Sequence, residues 1–219
     1  MIAYERKTLA NGLTVAVNRD RASKLAAVNL LYKVGARNEN PARTGFAHLF
    51  EHLMFRGTRD VPNFDLPVQM ASGDNNAFTN NDYTDFYITL PKDNIETALW
   101  LESDRMEGLD ITPGKLETEK RVVIEEFRQR YLNQPYGDQT MLLRALAYKV
   151  HPYRWAAIGL TTEHISSATQ ADVEAFYRSH YHPSNAILSI SADLEEERMM
   201  ELAEKWFGGL ADVPYTAEP

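Results

Sequence analysis

The chain has 219 residues, 44% of them hydrophobic and 25% charged, enough to bury one substantial core or two small ones and too apolar for a disordered segment. Lys and Arg total 23 against 31 Asp and Glu, a formal charge of −8 with the acidic residues scattered, so no basic stripe marks nucleic acid as a partner. Cysteine is absent, which excludes disulfides and thiolate ligands and leaves His, Asp and Glu to build any metal site.

The N-terminus, MIAYERKTLANG, lacks the basic and then apolar run of a signal peptide. It predicts a cytoplasmic protein if Met1 is native, and a periplasmic or secreted one if a signal peptide has been removed. No stretch of about 20 apolar residues is present to cross a bilayer. Alternating residues at 4–9 and 13–17 around Asn11-Gly12 predict a hairpin, and the nearly continuous apolar run 24–34 predicts a strand inside a sheet. A polar stretch then leads to a helix starting near Arg43 or Thr44. Residues 63–71 read as a short helix. In SGDNNAFTNNDYTDFYITLP the second half, 84–90, alternates as a strand, whereas the Asn- and Gly-rich first half reads as a loop feeding an edge.

Helical spacing follows at 93–107, and Pro113 stands at the front of a long helix to about residue 131. Further helices are predicted at 138–150, 170–180 and 195–207, with a strand at 185–191. The tail VPYTAEP has no periodicity, so the expected domain is 1–211 with a linker-like segment at 212–219. Strands at both ends with helices between give an α+β fold, a mostly antiparallel sheet packed against several helices and pairing its first and last strands.

The chemistry concentrates in GFAHLFEHLMFRGT, residues 45–58. On a helix His48 and His52 lie about 40° apart and Glu51 about 60° from His48, so the three share one face. Two imidazoles one turn apart are a ready pair of Zn²⁺ ligands, and a glutamate between them can act on the metal's water. This His-x-x-Glu-His order is the inverse of the common zinc-peptidase helix. An isolated helix histidine is ordinarily a packed residue, but two histidines and a carboxylate crowded together cost solvation unless something pairs with them. A catalytic zinc site takes three protein ligands and leaves a position open. On the long helix from Pro113, rotation places Glu119 within about 20° of Glu126, on a stripe shared with Val122 and Val123, while Glu125 falls on the flank with Arg121 and Arg128. Glu126 is therefore the expected third ligand, and Glu119 the carboxylate that orients a histidine N–H.

These motifs, with NNAFTNNDYTDFYITLP and ETEKRVVIEEFRQR in the same order, resemble the pitrilysin and insulin-degrading enzyme family of inverted zinc metallopeptidases, which includes the mitochondrial processing peptidases. The resemblance covers essentially the whole chain, with Glu126 standing 74 residues after His52. It implies the pitrilysin-like fold and an endopeptidase in which His48, His52 and Glu126 bind Zn²⁺, Glu51 is the general base and Glu119 supports the site. Asn75 to Thr79 resembles the family's Asn-Ala-x-Thr edge strand, which implies that Asn76 and Ala77 pair with an extended peptide or unfolded polypeptide by strand addition. His151, His164, His180 and His182 read as structural or loop residues. Family members are usually built from paired homologous domains, which implies a C-terminal domain, a partner subunit or a homodimer as the other half. A non-catalytic scaffold of the same fold is the alternative, against which the intact motif argues.

Overall fold

The computed structural model describes residues 2–211; the expected linker at 212–219 lies outside the described residues. Gly12, at φ 85°, lets the loop after β1 (Glu5–Thr8) return as β2 (Thr14–Arg19), and β3 (Leu25–Tyr32) follows. The chain leaves the sheet for α1 (Phe46–Leu53) and α2 (Asp65–Met70) and returns through β4 (Asp74–Thr79) and β5 (Thr84–Pro91). A helical stretch comes next: α3 (Ile95–Glu107), α4 (Pro113–Phe127), α5 (Gln139–Ala147), α6 (Thr162–Ser166) and α7 (Gln170–His180). β6 (Ala186–Ala192) and α8 (Glu196–Phe207) complete the described chain.

The strands form one sheet in the order β1-β2-β6-β3-β5-β4. Every neighbouring pair is antiparallel except β2 and β6, which run parallel with Thr14 opposite Ile187. The α+β architecture is as expected, with two corrections. The first strand does not meet the last: β1 occupies one edge, and β6 inserts between β2 and β3. The Asn-rich segment expected as a loop is largely strand β4, held by backbone pairing to β5 at the opposite edge, where no apolar alternation is needed.

Period-two burial separates the two faces of the sheet. Val28, Leu30, Phe86, Ile88, Leu188 and Ile190 are buried, and helices α1, α3 and α8 pack onto the sheet. Thr112 caps α4, its hydroxyl accepting from Lys115 N–H, with Pro113 in the first turn. After Phe127 the helix widens into a π-type turn, Arg128–Leu132.

One ion pair lies wholly inside this core. Arg105 Nε donates to Glu102 Oε2 at 2.7 Å and Nη2 to Oε1 at 2.5 Å, and its guanidinium sits 4.1 Å from the Phe86 ring centre and 4.5 Å from that of Phe64. Burial pushes the Glu102 carboxyl up, and Arg105 opposes that push. Arg105→Ala strands the carboxylate and is expected to cost about 3–5 kcal/mol, read as a lower urea midpoint at unchanged slope. A loss under about 1 kcal/mol would mean that the pair contributes no more than a surface ion pair.

Candidate metal centre

Helix α1 is fixed by its apolar side. Phe46, Leu49, Phe50 and Leu53 are all buried, and the Phe50 ring lies 5.4, 6.0 and 5.1 Å from those of Phe176, Tyr177 and Tyr181. Each such burial stabilises by about 1.5–3 kcal/mol, enough to set the helix's rotation. The remaining face packs against α4 and β4. His48, Glu51 and His52 thereby meet the helix that carries Glu119 and Glu126.

Glu126 Oε2 lies 3.5 Å from His48 Nε2 and 3.3 Å from His52 Nε2, and one ligand atom from each residue falls within 4.8 Å of the others. Two donor atoms bound to one tetrahedral zinc at about 2.0–2.2 Å lie about 3.3–3.5 Å apart. Both separations from Glu126 match that figure and are long for direct hydrogen bonds. The other His52 nitrogen, Nδ1, faces Glu119 Oε2 at 3.4 Å, the arrangement in which a carboxylate orients a ligating imidazole. Glu119 is itself held by Arg56 at 2.5 Å, and Glu126 Oε1 by Arg130 at 2.8 Å.

The charges are arranged for a cation. Burial pushes His48 down to about 4, leaving its imidazole neutral near pH 7 with a lone pair to offer. Burial also depresses His52, but the Glu119 and Glu126 carboxylates outweigh it and raise the group to about 9. The nearby His52 imidazole, first among the causes, holds Glu126 below the usual carboxylate range. A divalent ion binding to these atoms would displace the proton His52 keeps between its two carboxylates. Glu51 lies on the same face with Oε2 buried and without a hydrogen-bond partner; burial raises its pKa, opposed by the Thr79 hydroxyl.

Asn76 and Ala77 sit on β4, whose sole strand neighbour among the described residues is β5, so a backbone edge lies open beside α1. Asn76 Oδ1 accepts from Ala77 N–H at 2.8 Å. The remaining histidines stay apart from the cluster. His164 Nδ1 holds the Thr44 N–H at 3.1 Å, His151 Nδ1 accepts from Tyr153 N–H at 3.2 Å, His180 packs on Phe176, and His182 meets the Ser184 hydroxyl. Sequence reasoning passed over Arg56 and Arg130. The two arginines carried a signal, each standing four residues beyond a candidate ligand. Thr79 was read only as the last residue of the edge-strand motif, and its approach to Glu51 comes from the strand placement of β4.

Residues 14–156 match the family model described as insulinase, peptidase family M16, and residues 167–219 match that of the peptidase M16 inactive domain. The chain belongs to peptidase family M16. All of the candidate site residues fall in the first of the two matched segments. The zinc protease PqqE of Helicobacter pylori is 34% identical over 226 residues, 99% of this chain and 51% of that protein. The mitochondrial-processing peptidase subunit beta of Saccharomyces cerevisiae is 27% identical, over 96% of this chain and 45% of its own length. The crystal structure of a protease from Helicobacter pylori superposes with a TM-score of 0.95 at 33% identity, covering all of this chain and 53% of that one. The chain thus spans about half the length of these relatives.

Proposed function

We propose that this chain is the metal-carrying half of a zinc-dependent endopeptidase acting on peptides or unfolded segments. The observation that carries the reading is the convergence of ligand atoms of His48, His52 and Glu126 within 4.8 Å of one another, with Glu126 Oε2 at zinc-like separations from both His48 Nε2 and His52 Nε2. Bound there, zinc supplies Lewis acidity toward water and the scissile carbonyl. Glu51, with its carboxyl raised by burial, takes the proton of the attacking water and returns it to the leaving amine. Glu119 keeps His52 in the orientation that directs Nε2 to the cluster. The open edge of β4 receives the substrate backbone as an added strand, with Asn76 and Ala77 in contact.

The second half of the enzyme is a homologous domain or subunit, a reading supported by the share of its relatives that the chain spans. Leu142, Leu143 and Leu146 of α5, each more than half exposed, add an apolar surface suited to such a partner. Protein purified without chelator is expected to hold one zinc per chain. The assembly with its second half is expected to cleave an extended peptide, to stop on chelation and to recover when zinc is returned. Absence of zinc even after supplementation would rule out the site. Zinc with no cleavage by the full assembly would favour the scaffold.

A further inference from the structure

Helix α1 begins without a capping side chain. Its N-cap is Gly45, at φ 93°, where a Cβ would stand 2.7 Å from Ile158 O and 2.7 Å from Ile165 Cδ1, so Ser, Thr, Asp and Asn are shut out of the position. The first-turn donors are met instead from the preceding loop. Glu39 accepts from Gly45 N–H on Oε2 and from Ala47 N–H on Oε1, both at 2.9 Å. Trp155 donates its indole N–H to the same Oε2 at 3.1 Å and to Ala36 O at 2.8 Å. The Trp155 carbonyl is in turn held by Arg144 of α5 at 3.3 Å.

Glu39 is only 6% exposed and forms no ion pair with Lys, Arg or His among the described residues. Burial pushes its carboxyl up to about 8, and the Gly45, Ala47 and Trp155 donors pull it back. An ordinary exposed cap stabilises a helix by about 0.5–2 kcal/mol, whereas desolvating a carboxylate costs several kcal/mol. Helix stability alone is a poor return on that desolvation. What distinguishes this helix is that the residue after Ala47 is His48.

We propose that Glu39 is a positioning residue of the metal centre. It grips the first turn of α1 with both carboxyl oxygens and ties it through Trp155 to the segment after α5, setting where His48 and His52 stand relative to Glu126. This rests on the zinc reading of the site. A glutamine at 39 keeps the shape but presents one oxygen and one NH₂, so one of the two oxygen positions confronts its N–H donors with another donor. Trp155→Phe keeps a smaller aromatic ring in the core and removes a single donor.

The test is zinc affinity of the folded protein, by competition with a chromophoric chelator at pH 8.5, alongside hydrogen exchange of the α1 amides. Glu39→Gln is expected to weaken zinc binding by about 10–100-fold and to speed exchange at Ala47 and His48, with Trp155→Phe moving both in the same direction by less. A Glu39→Gln protein that melts earlier but binds zinc within about twofold of wild type would overturn the proposal, because a merely structural cap would behave that way. If Glu39→Gln does not fold, unchanged affinity in Trp155→Phe overturns it instead. Wild-type protein that takes up no zinc sinks the site reading, and this inference with it; unchanged affinity in the variants sinks this inference alone.

Discussion

Glu51→Gln is expected to leave the chain folded and still holding zinc, while lowering kcat/KM for peptide cleavage by the assembled enzyme about 10²–10⁴-fold. The substitution preserves volume and removes the proton acceptor. Glu51 shares the α1 face with the two histidines, yet the three atoms that converge belong to His48, His52 and Glu126, so the proposed ligand set does not include it. Its buried Oε2 has no hydrogen-bond partner, so little packing depends on its charge. Zinc content by elemental analysis and steady-state kinetics on the same preparation decide the matter. Retention of more than about a tenth of wild-type cleavage would remove Glu51 from the base role.

His52→Ala is expected to do the opposite, losing zinc and cleavage together. His52 is in contact with both carboxylates, through Nε2 to Glu126 at 3.3 Å and Nδ1 to Glu119 at 3.4 Å. Without it, two of the three proposed ligands remain, and Glu119 keeps Arg56 as its partner while Glu126 keeps Arg130. Those arginines pair with the carboxylates in any case, so the fold should survive. Elemental analysis should then find zinc well below one per chain while circular dichroism stays unchanged. Stoichiometric zinc in the substituted protein would mean that the ion sits elsewhere. The two substitutions together separate a residue that acts on water from one that holds the ion.

The residues of α1 were legible because everything they need is local: a hundred degrees per residue puts His48, Glu51 and His52 on one face wherever the helix sits. Glu126 and Glu119 were legible for the same reason, as acidic residues on the side of α4 that turns inward. The centre of that side was less so. Val122 was expected on the buried stripe, but it is 39% exposed, and the stripe runs through Leu116, Glu119, Lys120, Val123 and Phe127. α4 packs against α6 as well as α1, and a short helix at residues 162–166 was not anticipated. Strand β4 escaped its local pattern because an edge strand with alternating half-exposed polar residues looks like a loop until its partner is known. Glu39 gave no warning at all, since a glutamate in GARNEN is an unremarkable loop residue until Gly45, Ala47 and Trp155 close around it.

The parallel pairing of β2 with β6 governs the order in which the chain can fold. β2 and β3 follow each other closely in sequence, yet they are separated in the sheet by a strand that leaves the ribosome long after both, so Thr14 must wait for Ile187. Both helices of the candidate site, α1 and α4, are synthesised before the sheet that supports them can close. Long-range closure of this kind is slow, because the entropy of the intervening loop must be overcome before the contacts reward it. During that interval β2 and β3 each present an unpaired edge to the solvent. Those edges make the nascent chain, more than the finished one, the species exposed to misassociation and to the cell's chaperones.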